Sequence, residues 1–140
     1  MVELPVGLSE RPMPEMEGPE KFWPLSSSRD GRSIAGIAAH PDGSIRAVAV
    51  YSIATKRFER IEVGAGLSWR FPVFLADGRR LLIRDGHGVS ILDIATKRSH
   101  ELFAVGGYAV GVSVGITRDN RWITYTETAT EGDIWVAELK

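Results

Sequence analysis

Ser28-Arg29-Asp30-Gly31-Arg32-Ser33-Ile34-Ala35 returns as Leu75-Ala76-Asp77-Gly78-Arg79-Arg80-Leu81-Leu82 and again as Thr117-Arg118-Asp119-Asn120-Arg121-Trp122-Ile123-Thr124. The steps between the three aspartates are 47 and 42 residues. A period in this range marks a repeat architecture, in which a unit buries its apolar face only against its neighbours. A second motif interleaves with the first. Val50-Tyr51-Ser52-Ile53-Ala54-Thr55-Lys56-Arg57 recurs as Ile91-Leu92-Asp93-Ile94-Ala95-Thr96-Lys97-Arg98, and its beginning recurs as Val136-Ala137-Glu138-Leu139-Lys140. The first two copies run on into Ile61-Glu62-Val63-Gly64 and Leu102-Phe103-Ala104-Val105-Gly106, and no such strand follows the third.

Both motifs read as strand and turn. Asp-Gly and Asp-Asn between apolar-rich runs predict tight primed hairpin turns, because both residues accept positive φ. Ile34, Leu81 and Ile123 follow the turn, with Gly36, Ile83 and Tyr125 two further on, a period of two that predicts half-buried strands. Ala-Thr-Lys-Arg at 54–57 and 95–98 reads as a second polar turn, joining strands at 48–53 and 58–63 in the first copy. Outside these turns no convincing helical stripe occurs. Four antiparallel strands recurring as a group predict an all-β chain of propeller blades. A β-sandwich of three hairpins is the competing fold, disfavoured because two independent motifs keep one order in all three copies. The division is a single domain over 1–140: a spare outer strand at 2–7, a linker at 8–21, blade 1 at 22–63, blade 2 at 64–105 and blade 3 at 106–140, lacking its outer strand.

The composition narrows the chemistry. The 140 residues are 44% hydrophobic and 25% charged, and 17 Lys+Arg against 18 Asp+Glu leave a net charge of -1, so nothing argues for nucleic acid or an anionic membrane as partner. There is no cysteine and there are three histidines, which excludes thiolate chemistry and makes a histidine-rich metal site within one chain unlooked for. Met1-Val2-Glu3-Leu4-Pro5 lacks the basic start and apolar stretch of a secretory signal, and no long apolar run occurs, so the chain as given is expected to be soluble and untargeted, with its native compartment open. No cofactor is expected.

Arg29-Asp30-Gly31-Arg32, Ala76-Asp77-Gly78-Arg79 and Gly132-Asp133-Ile134-Trp135-Val136 resemble the repeats of TolB-like, WD-repeat-like bacterial β-propellers, whose blades carry a pattern close to Ser-Pro-Asp-Gly-Arg followed by Asp-Ile-Trp-Val. The resemblance runs from Phe22 to Lys140 and is specific for the fold and weak for function. Arg29, Ala76 and Arg118 stand where the family usually has proline. The resemblance implies rings of six or more blades and proteins that are often periplasmic or extracytoplasmic.

Three blades leave open edges, which invite association. Leu4-Pro5-Val6-Gly7 resembles the outer strand Ile61-Glu62-Val63-Gly64. Adding that strand to its own chain's last blade would force a three-bladed ring, too tight for four-stranded sheets. The expectation is therefore a homodimer in which Val2, Leu4 and Val6 of each chain extend the last blade of the other, closing a six-bladed ring with two-fold symmetry.

The polar candidates lie in the turns. His40 in Ala39-His40-Pro41-Asp42-Gly43 and His87 in Asp85-Gly86-His87-Gly88 occupy equivalent turns that share a rim, where Asp85, Glu127, Glu131 and Asp133 also gather. His40, Asp85, His87, Glu131 and Asp133 are the candidate rim ligand-binding residues, against the plainer reading of exposed turn residues. No catalytic and no metal site is assigned, because no Gly-x-Ser-x-Gly and no phosphate loop occurs. Trp23, Trp69, Trp122 and Trp135 are expected to pack blade against blade. Met13 and Met16 are expected to pin the linker. Two functions follow: a noncatalytic propeller module for protein or peptide interaction and self-assembly, or half of a propeller hydrolase or lyase acting on glycans or peptides.

Overall fold

The computed structural model describes residues 12–62, 71–84, 88–104, 110–127 and 133–139. Every regular element among them is a strand. Blade 1 holds β1 (Lys21–Ser27), β2 (Ser33–Ala39), β3 (Ile45–Ser52) and β4 (Arg57–Glu62); blade 2 holds β5 (Val73–Phe74), β6 (Arg80–Arg84), β7 (Gly88–Asp93) and β8 (Ser99–Ala104); blade 3 holds β9 (Val110–Ile116), β10 (Trp122–Glu127) and β11 (Asp133–Glu138). Neighbours in sequence pair antiparallel, giving orders β1-β2-β3-β4, β5-β6-β7-β8 and β9-β10-β11. The first strand of one sheet lies beside the first of the next, β1 by β5 and β5 by β9, so these are the inner strands of an arc.

Each sheet has a leading face, toward the next blade, and a trailing face, toward the one before. The leading face of blade 1 buries Ala35, Val48, Val50 and Ile61 against Phe74, Leu81, Ile83 and Leu92 of blade 2. The leading face of blade 2 brings Leu82, Val89 and Ile91 onto Ile123, Val114 and Ile116 of blade 3. Register fixes this division. Ala35 pairs Val50 and Leu82 pairs Ile91, so the same position serves the leading face in each blade.

Two sequence expectations change here. In blades 1 and 2 the middle strands are more than half-buried: Ala35–Ala39, Ala47–Tyr51 and Leu81–Arg84 are buried throughout, because blade 2 lies between two blades and Met16 and Phe22 cover the second face of blade 1. In blade 3, β10 alternates as expected, with Ile123 buried between exposed Trp122 and Thr124. The Asp-Gly turns are also not primed. Gly31, Gly78 and Asn120 have φ of 68°, 66° and 58°, whereas the aspartates before them stay at negative φ. Each is a turn closed by the N–H of Gly31, Gly78 or Asn120 donating to the carbonyl of Ser28, Leu75 or Thr117, with one left-handed residue completing the hairpin. The aspartate earns its place by its side chain, which accepts the N–H two residues on, from Arg32, Arg79 or Arg121.

The linker residues 12–20 contain no strand and cross the trailing face of blade 1. There Gly36, Ala38, Ala47 and Ala49 form a shallow trough of small side chains, with Met16 and Phe22 packed against its alanines. A Cβ on Gly36 would overlap the Trp23 carbonyl and the Phe22 ring. Met13, by contrast, is exposed. Glu20 anchors the segment by accepting from Arg60 Nε and Nη2 at 2.7 and 2.9 Å. That bidentate contact holds the Glu20 carboxyl below its ordinary range.

Candidate functional site: two rims and an open blade face

The turns between second and third strands lie at one end of the arc. His40 sits in the β2–β3 turn, where its N–H donates to the Ser44 carbonyl and its own carbonyl accepts from Gly43. Its Nδ1 is 3.3 Å from Asp42 Oδ1, without the alignment of a hydrogen bond. Asp42 is committed to Ser44, whose hydroxyl and N–H both donate to Oδ1 and hold its carboxyl at about 2. A cavity of about 340 Å³ opens beside His40, lined also by Lys21, Trp23 and Ile37. Asp85, His87 and Glu131 lie outside the described residues, as do Val2, Leu4 and Val6; Asp133 begins β11, and its side chain is outside them too. Among the described residues no three His, Cys, Asp or Glu side chains gather where they could hold a metal ion.

The opposite end carries the Asp-Gly turns and the Ala-Thr-Lys turns, where the sequence predicts no site residue. Here Asn120 does what glycine cannot: its Oδ1 accepts the Ala76 N–H at 2.9 Å, tying blade 3 to blade 2. Ser26 Oγ donates to the Pro72 carbonyl at 2.8 Å and ties blade 1 to blade 2 in the same way. The signal for Asn120 was present as the one departure from Gly at that turn position.

The third feature is a surface. Val48 and Val89, in equivalent places of blades 1 and 2, are both 0% exposed, while their counterpart Ile134 in blade 3 is 77% exposed. Val50 is buried and Ile91 packs against the blade 3 junction, while Val136 is 57% exposed. Trp122 and Thr124 are exposed on the same leading face, so it is an apolar sheet face without a neighbour among the described residues. The trailing face of blade 1 holds the other half of the pattern. Ile94 and Leu139 pack into the blades before them, and their counterpart Ile53 is 47% exposed. The tryptophans do not fill the junctions as expected. Trp23, Trp122 and Trp135 are exposed, and aliphatic side chains with Phe74, Phe103 and Tyr125 do the packing; Trp69 is outside the described residues.

Among the described residues no helix is long and apolar enough to cross a membrane. No family model matches the chain, and no curated protein matches it. Solved structures do. A TolB-like protein from Agrobacterium tumefaciens superposes with a TM-score of 0.70 at 12% identity, over 91% of this chain and 48% of that one. Hydrazine synthase from Kuenenia stuttgartiensis gives 0.63 at 15%, over 84% and 34%. An oligogalacturonate lyase in complex with manganese gives 0.61 at 16%, over 73% and 27%. The chain thus spans about half or less of the structures it matches. Identities this low speak for the fold alone, and the fold is that of consecutive blades of a TolB-like β-propeller.

Proposed function

We propose that the chain is a noncatalytic propeller module whose role is association, and that two copies close a six-bladed ring with two-fold symmetry. The observation that carries this reading is the leading face of blade 3: Ile134 and Val136 lie in solvent, whereas Val48, Val50 and Val89 at the equivalent positions are buried and Ile91 is packed against a junction. A leading face built like those inside the chain is most simply covered by a trailing face, and blade 1 presents one, with Ile53 exposed beside the small-residue trough that Met16 and Phe22 fill. Two further facts support it. Three blades match 48% of the TolB-like chain, so two copies approach one full ring. The linker reaches β1 across the trailing face of blade 1, the side from which a crossover from a preceding blade would arrive. In the ring, residues 2–7 of one chain would pair with the edge strand β11 of the other, and Pro5 is tolerable on an outermost strand with one side in solvent.

Light scattering tests the ring. The full chain should run at twice its chain mass, and Ile134→Lys with Val136→Glu should give a folded species of single mass, since both side chains are already in solvent in the isolated arc. A monomeric wild-type chain at micromolar concentration, or a charged double variant that stays dimeric, would overturn the reading. The hydrolase or lyase reading makes a different demand: turnover of a glycan or peptide that is abolished by a change at His40, Asp85, His87, Glu131 or Asp133.

A further inference from the structure

The arginines of the Asp-Gly turns divide by partner, some held by a carboxylate and others, Arg29 and Arg118 among them, not. Arg46, Arg60, Arg80 and Arg121 each have a carboxylate within 4 Å. Arg29 and Arg118 make no ion pair and no side-chain hydrogen bond among the described residues, and both line one cavity of about 520 Å³. Its wall comes from all three blades, from the ends of the inner strands β1, β5 and β9 and the turns that follow them. Both arginines stand at the second position of their turns, where proline is favoured and where a long side chain contributes nothing to the turn itself.

The rest of the wall has the same bias. None of the described lining residues is Asp or Glu. The nearest carboxylates, Asp30 and Asp119, are turned onto their own loops, where Ser28 and Thr117 hydroxyls donate at 2.6 Å and the Arg32 and Arg121 N–H groups at 3.1 Å. Those bonds fall on one oxygen of each carboxylate and keep both groups ionised, and neither makes an ion pair with Arg29 or Arg118. Asn120 adds donors. With its Oδ1 engaged by Ala76, its NH2 has no partner among the described residues, and the Ser27 hydroxyl on the opposite wall has none either. A larger crevice of about 670 Å³ between blades 1 and 2 also holds two arginines, Arg57 and Arg79, but Glu59 and Asp93 line it with them and offset their charge.

We propose that this cavity is a binding site for a small anion bearing phosphate or carboxylate groups, held between the guanidinium groups of Arg29 and Arg118 with the Asn120 amide as third donor. Its size is that of small-ligand pockets, and guanidinium forks fit the planar oxygen pairs of both anion types.

Calorimetric titration of the full chain at low salt tests it, with inorganic pyrophosphate as the phosphate probe and citrate as the carboxylate probe. Binding of either supports the site and names its anion. Arg29→Gln and Arg118→Gln should each weaken that binding about tenfold, the loss of one charge-assisted contact. Asn120→Asp is the sharper variant. It keeps the acceptor for Ala76 and tolerates positive φ, so the blade junction persists, yet it replaces donors by a negative charge and should abolish binding. Arg98→Gln, the same charge change on the outer turn, should leave binding unaltered. No heat from either probe at millimolar concentration would overturn the proposal, as would an Arg98→Gln loss equal to that of Arg29→Gln, or an Asn120→Asp chain that melts like wild type and binds as well.

Discussion

Asn120 closes its turn in the left-handed region and at the same time caps Ala76 in the neighbouring blade. The two tasks are separable. Asn120→Gly keeps the backbone conformation and loses the bond, so it should cost about 1 kcal/mol in urea unfolding, with Asn120→Ala costing more because alanine also resists positive φ. The turn carboxylates set the acid response. Asp42, held at about 2 chiefly by the Ser44 hydroxyl and then its N–H, has a folded value below its ordinary 3.8. Asp30, Asp93 and Asp119 are lowered likewise, by the Ser28 hydroxyl, the Thr96 N–H and the Thr117 hydroxyl as the largest causes. As pH falls the unfolded chain takes up protons first, so this stability is complete above about 4.5 to 5 and drains as pH drops toward 2. Urea midpoints should be flat from pH 6 to about 4.5 and then decline, and Ser44→Ala should soften the decline.

A strand position in this protein has a meaning only together with its blade. Val50 and Val136 occupy the same place in the repeat, one buried against blade 2 and the other in solvent. Val50→Ala should therefore destabilise the chain by about 2 kcal/mol, two buried methyl groups at about 0.8 kcal/mol each plus the space they leave. In the dissociated chain Val136→Ala should change stability by less than about 0.5 kcal/mol. Denaturation at nanomolar concentration, where chains are apart, makes the comparison. On the opposite face of blade 1, Gly36 lets the Trp23 carbonyl and Phe22 ring come close, and the alanines beside it leave room for Met16. Gly36→Ala should separate β1 from β2 and unfold blade 1, read as lost near-ultraviolet signal from Tyr51 and Phe58, whose ring centroids lie 4.8 Å apart.

The arc as a unit has two unlike ends, a bare leading face and a trailing face partly covered by its own linker. If two arcs close on each other, folding and association are coupled, and the melting temperature should climb with protein concentration. Removing residues 1–7 should lower that temperature and flatten its concentration dependence, because each ring junction would lose a strand's worth of backbone hydrogen bonds. A melting temperature constant across a hundredfold dilution would leave the arc standing alone.

Much of this was legible in the chain because a repeat reports on itself. Three aligned turns fixed the strands, their order and the equivalence of blades, since left-handed turn positions and period-two strands are local properties that few residue types satisfy. The primed-turn reading failed because composition shows which residue accepts positive φ but not which hydrogen bond closes the loop; in these turns Asp30 works through its side chain and Gly31 through its backbone. Half-burial failed in blades 1 and 2 and held in β10, because one sheet's pattern cannot say what covers its second face. The same limit hid the cavity of Arg29 and Arg118, 89 residues apart in the chain. Which charges remain unpaired, and which equivalent valine lies in solvent, depend on how blades stack, and stacking is a relation between distant segments.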